Sequence, residues 1–143
     1  MKKRALSFVL VLLFSLSCGM VSAAQSDPPD ARSSLYLTQY RATASSGVSR
    51  GTVKIYFEAA SSKAATSVGV KEMVIYKSNG TKVTTITGTN KNGLQKSNAT
   101  RHSGTYTYSG SSGVQYYAKV TLFAKNASGS SSKTVTTSTV TAP

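Results

Sequence analysis

The chain has 143 residues, 39% of them hydrophobic and 15% charged, and its 17 lysines and arginines outnumber 4 acidic residues for a net charge of +13. That length suits one domain with a single hydrophobic core, and the one-sided charge favours polyanionic partners. One histidine and one cysteine are too few to close a zinc site, and the sparse acids do not cluster as a calcium loop requires.

Lys2, Lys3 and Arg4 open the chain, an apolar run follows from Ala5 through Leu16, and Val21-Ser22-Ala23-Ala24 offers small residues to a peptidase. This order predicts a secretory signal peptide over residues 1–24, with cleavage after Ala23 or Ala24. The run is too short for a spanning helix, which needs roughly 20 apolar residues. Cys18 is preceded by Ser15-Leu16-Ser17, a poor match to a lipobox, so lipid anchoring is not expected. Cleavage removes the sole cysteine and three cations, lowering the net charge from +13 to +10. A secreted chain without disulfides fits a bacterial source. The Asn-x-Ser/Thr triplets at Asn79, Asn98 and Asn126 then read as turn and loop chemistry.

Residues 25–33, which include Pro28 and Pro29, form a polar tail ahead of a domain over 34–143. From there Thr, Val, Tyr and Ser dominate, a composition suited to a pleated, half-buried surface. Strand one is expected over 35–43, with Leu35 and Leu37 on one face. Strand two spans 51–58, where Val53, Ile55 and Phe57 alternate with polar neighbours. Residues 59–69 are small and polar and read as a loop. Strand three spans 70–77 and strand four 82–87. Ser78-Asn79-Gly80 between them is a strong hairpin signal, because both central residues tolerate positive φ. Residues 88–103 read as a long connection, followed by strand five over 104–109, strand six over 114–125 and strand seven over 133–141. Seven short strands with regular turns predict an all-β, seven-stranded antiparallel sandwich.

Strand six carries Tyr116, Ala118, Val120, Leu122, Ala124, Asn126 and Gly129. It resembles strand F of immunoglobulin-like domains of the fibronectin type III kind, with its Ala-x-Asn-x-x-Gly turn. Ile75-Tyr76-Lys77-Ser78-Asn79-Gly80 resembles the C to C′ hairpin of the same family. The resemblance implies an immunoglobulin-like sandwich with strand three beside strand six. Tyr116 stands two residues before the family's usual tyrosine position, and Phe57 takes the volume of the family's absent tryptophan. The layout of leader, short tail and one Thr/Ser-rich β domain is also similar to small secreted bacterial proteins, a likeness that implies no activity.

Chemistry is scarce. His102 reads as a solvated loop residue. Glu58 and Glu72 lie near strand ends beside Lys54 and Lys71, where a surface salt bridge is the expected outcome. Gly110-Ser111-Ser112-Gly113 precedes a strand and reads as a turn rather than a phosphate cradle. The chain is therefore expected not to be an enzyme and to carry no cofactor and no metal. What remains is surface. Lys119, Thr121 and Lys125 must face solvent, because burying an unpaired ammonium is costly, and alternation puts Tyr117 and Phe123 on their face. With Met73 and Ile75 inward, Tyr76 joins them. Tyr106 and Tyr108 share the core-facing side of strand five. The candidate ligand-binding set is thus Tyr76, Tyr117, Lys119, Phe123 and Lys125. The expectation is a secreted, non-enzymatic binding or adhesion module for an anionic cell-wall polymer, a glycan or another surface protein. No specific nucleic acid is expected as partner, and no transmembrane segment in the mature chain. A self-associating matrix-type protein and a membrane-active effector are the alternatives.

Overall fold

Apolar and polar side chains alternate through most of the chain, and backbones with that period pair into sheets. A computed structural model describes residues 36–143. The expected leader with Cys18, Ala23 and Ala24, the tail 25–33, and Leu35 lie outside the described residues. Seven strands follow in order: β1 (Leu37–Ser46), β2 (Thr52–Lys77), β3 (Lys82–Thr87), β4 (Gln95–Ser109), β5 (Gln115–Asn126), β6 (Gly129–Thr136) and β7 (Val140–Thr141). All pairings are antiparallel, and hydrogen bonds join all seven strands into one sheet. Among the described residues no helix is long and apolar enough to cross a membrane.

β2 organises the sheet. Along one edge it pairs first with β1, from Ser46↔Val53 to Leu37↔Ser61, and then with β5, from Ser67↔Lys125 to Lys77↔Tyr116. Along the other it pairs with β4 and then with β3. The register with β4 slips between Ala60 and Ala65. Extra residues on one strand of a pair bend it and increase its twist, so the sheet curls into a half-barrel. The curl brings β1 toward β6, where the buried Leu37 N–H donates to Ser131 Oγ at 2.9 Å. At the opposite end, Gly51 N–H donates to the Pro143 carbonyl at 2.6 Å and Ser46 Oγ to the Thr141 carbonyl at 2.7 Å. The C-terminus therefore straps the β1–β2 turn to the start of β5.

The concave side holds the core. Val53, Ile55 and Phe57 from the first half of β2 meet Met73 and Ile75 from its second half, with Val120 and Leu122 from β5; each is at most 1% exposed. Burying a side chain of this size contributes about 1.5–3 kcal/mol. Phe57 is fully buried, and its ring lies 5.4 Å from that of His102. Tyr106 and Tyr108 pack against this core from β4, as their alternation indicated.

The all-β, antiparallel class agrees with the sequence, while the division into strands is corrected. Residues 59–69, expected as a loop, continue β2 without a break, and residues 95–103, expected as part of a connection, begin β4. Each pairs with the other, as in Ala65↔Ala99 and Ser67↔Ser97. Two segments of low β-propensity thus satisfy each other's backbone, and tertiary pairing overrides composition. His102 is correspondingly not a solvated loop residue. It sits on β4 opposite Ala59, half-buried, with Nε2 2.7 Å from the Gly93 carbonyl. Strand seven is also divided. β6 ends at Thr136, buried Thr137 receives the Ala118 N–H on Oγ1 at 3.0 Å, and β7 crosses to pair with Gln115 and Tyr116.

Two outcomes follow from this packing. Replacing Ser131 by alanine leaves the buried Leu37 N–H without its acceptor, a loss of about 1–3 kcal/mol. Hydrogen exchange should then accelerate at Leu37 and along β1 before the rest of the sheet, and uniform protection would contradict the role assigned to this bond. The second outcome concerns Tyr108, whose ring meets Tyr116 edge-on at 5.2 Å. Burial, and then the neighbouring Tyr116, raise its phenol above the ordinary value of 10.0. A raised phenol favours the neutral form in the folded state. Its contribution is fully present below the unfolded value and is lost as pH rises through the folded one. Unfolding measured from pH 8 upward past 10 should therefore show a steeper alkaline loss for the natural chain than for Tyr108→Phe, and equal slopes would refute it.

Candidate functional site

On β5 burial alternates strictly, with Tyr116, Ala118, Val120, Leu122 and Ala124 inward. The outer face therefore carries Tyr117, Lys119, Thr121, Phe123 and Lys125. The second half of β2 lies alongside in the register Tyr76↔Tyr117, Val74↔Lys119, Glu72↔Thr121, Gly69↔Phe123 and Ser67↔Lys125. The register shifts between Val70 and Glu72, which makes Lys71 the inserted residue of a bulge. Lys71 and Glu72 are both exposed as a result, and Lys71 turns toward Phe123 and Lys125.

Beside the bulge lies a groove of about 450 Å³ lined by Ser67, Lys71, Gln95, Phe123, Lys125, Ser130, Ser131 and Ser132. Gly69 permits the close approach of the Leu94–Gln95 backbone beside the groove. It lies opposite Phe123 at φ +140°, and a Cβ there would stand 2.2 Å from the Leu94 carbonyl oxygen. That oxygen is held in place because it accepts the Val70 N–H at 2.8 Å. Gln95 fixes the far wall. Its Nε2 donates to the carbonyls of Gly88 at 2.8 Å and Val70 at 3.2 Å, and its Oε1 accepts from Ser67 at 3.3 Å. The groove thus has one aromatic ring, two ammonium groups and several serine hydroxyls on a rigid sheet. Such a site can stack on an apolar ring face, pair with negative charge and hydrogen-bond to hydroxyl groups.

The five residues singled out from the sequence share this outer face but divide into two groups. Tyr76 and Tyr117 stack with centroids 5.2 Å apart and an interplanar angle of 11°, and Lys119 Nζ lies 5.4 Å from the Tyr76 centroid. Phe123 and Lys125 belong to the groove, at least four residues beyond Lys119 and six beyond Tyr117 along β5, about 13 Å and about 20 Å respectively. Sequence reasoning missed Lys71, Ser67, Gln95, Ser130 and Ser132. One signal was available for Lys71: Val70-Lys71-Glu72-Met73 places two charges between apolar residues, which breaks a period of two as a bulge does. The expected pairing of the carboxylates with Lys54 and Lys71 is corrected at Glu58. This residue forms a salt bridge with Arg101 and accepts from the Tyr56 hydroxyl at 3.1 Å, because β4 runs beside β2 where a loop was expected.

No family model matches the chain, and no curated protein matches it. Among solved structures it is similar to a family 76 glycoside hydrolase from a bovine Bacteroides thetaiotaomicron strain, with 18% identity and a TM-score of 0.42 over 73% of this chain. The chain corresponds to 20% of that hydrolase's length. The expectation that the chain is not an enzyme is withdrawn on this finding. A likeness this distant, to a fifth of a longer protein, carries no argument for hydrolysis either.

The close packing of the Leu94–Gln95 backbone on β2 depends on Gly69, so Gly69→Ala is its most direct perturbation. Backbone strain alone costs about 1–3 kcal/mol, and each kcal/mol lowers Tm by roughly 4–8 °C in a domain of this size. Calorimetry should show a fall of that order, whereas an unchanged Tm would mean that the Leu94 carbonyl is not the fixed wall described.

Proposed function

We propose that the chain is a secreted binding module that holds an anionic surface polymer or acidic glycan against the outer face of β5. The observation that carries this reading is an open groove lined together by Phe123, Lys71, Lys125 and several serine hydroxyls. The ring covers the less polar face of a sugar or polyol unit. The two ammonium groups pair with its charge, and Ser130 and Ser132 meet its hydroxyls. Small-molecule pockets are enclosed and mostly apolar, whereas a shallow cationic groove suits a long, hydrated chain. The excess of Lys and Arg adds long-range attraction. The leader from Lys2 to Ala24 supports a site of action outside the cell, and the run from Tyr116 to Gly129 supports an immunoglobulin-like arrangement as the finer reading of the fold.

Binding to immobilised dextran sulfate and polygalacturonate, with neutral dextran as the control, tests the reading. Retention by both anionic polymers and not by dextran is expected, weakening as salt rises. Exposed ion pairs contribute about 0.2–1 kcal/mol each, so removing Lys71 and Lys125 together should weaken binding about tenfold. Phe123→Ala should weaken it further without changing the salt dependence. Equal retention on neutral dextran would exclude the proposal, as would binding indifferent to these substitutions.

A further inference from the structure

The strand edges of this sheet are protected unequally. β6 closes toward β1 through the Leu37–Ser131 bond. β3 opens with Lys82, and its register with β2 shifts beside it. The first half of β4 carries Lys96 and, at Asn98, a left-handed residue with φ 52°. The second half of β4 has no such device. Ser103-Gly104-Thr105-Tyr106-Thr107-Tyr108-Ser109 contains no charge and no proline, pairs in unbroken register with β2 from Thr52↔Ser109 to Glu58↔Ser103, and meets no other strand among those described. Among the described residues its outer edge therefore has no strand partner for its outward N–H and C=O groups, on a β-prone segment of unbroken register, the kind of edge that other proteins blunt with lysine, proline or a bulge.

We propose that this edge pairs antiparallel with the same edge of a second copy, about a two-fold axis at Tyr106. A two-fold interface is self-complementary, and the sequence favours this register. Centred on Tyr106, the pairing sets Thr105 opposite Thr107 of the partner subunit and Ser103 opposite Ser109 of the partner subunit. Arg101 of each copy then falls beyond the end of the paired segment, so no like charges meet. The two β2–β4 ladders become one continuous sheet, and main-chain hydrogen bonds supply the attraction. The opposing force is repulsion between two chains of net charge +13, which salt screens. Dimerisation therefore strengthens with salt, opposite to polyanion binding, so the two readings stand or fall separately.

Sedimentation of the purified chain over a concentration series, at low and high salt and without polyanion, tests this. A dimer that grows with both concentration and salt is expected. Thr105 and Thr107 are exposed, so their substitution leaves the core intact, and an unchanged Tm confirms it. T105K with T107K places lysine against lysine on both sides of the axis and should give a monomer; T105E with T107E should do the same. Mixing the two variants should restore a dimer of one chain of each kind. A monomer at every concentration would overturn the proposal. So would a dimer that survives in the lysine variant, because its interface would then lie elsewhere.

Discussion

The fold depends on the pairing of β2 along both of its edges, on either side of the register shift between Ala60 and Ala65. Twenty-six residues in one strand would span about 85 Å if straight, far more than a domain this small can accommodate. The strand can exist only because it bends between Ala60 and Ala65 and is paired on either side of the bend. Four strands attach to it, and the concave side they create receives its largest side chains from the strand itself: Phe57, Ile55, Met73 and Ile75. The same continuity fixes the outer face, since β5 takes its register from the second half of β2. The groove lies beside the point where Lys71 bulges from that register.

How much of this could be read beforehand varies with the residues concerned. Val53-Lys54-Ile55-Tyr56-Phe57 and the alternating run of β5 have one buried side each, and their inward residues were identified correctly. Asn79-Gly80 placed the β2–β3 turn, where Gly80 has φ +85°, and β3 has the boundaries expected from it. Residues 59–69 and 95–103 were illegible because Ala, Ser, Gly and Asn carry little intrinsic preference for a strand. What holds them extended is each other, and a partner 26 to 43 residues away leaves no local mark. The candidate site was half legible for the same reason. Alternation on β5 supplied Phe123, Lys125, Tyr117 and Lys119, whereas Gln95 and Ser132 arrive from segments whose neighbours only the sheet determines.

Charge is distributed in a way that favours the outer face. Glu58 is engaged by Arg101 and Tyr56 on the first half of the sheet, away from the groove. Glu72 follows the bulge opposite Thr121 and does not line the groove where Lys71 and Lys125 do. The buried side-chain polar atoms, by contrast, are all satisfied among the described residues, and two of those bonds, at Ser131 and Thr137, secure the seams where β6 meets β1 and β5. Polar groups inside the molecule thus fasten the curl. Those outside are left for solvent or a ligand.

The 26-residue strand also constrains how the chain reaches this structure. Its hairpins with β1 and β3 are local and can form early, but its ladders with β4 and β5 join residues far apart in sequence. Folding dominated by such pairings is slow, because loop-closure entropy is lost before the contacts offset it. Until β5 docks, the edge of β2 from Ser67 to Lys77 has no partner strand, although the opposite edge can already pair with β4 and β3. A fragment that ends before β5 therefore lacks any closed core, and a growing chain gains its native sheet only once its last fifth is available.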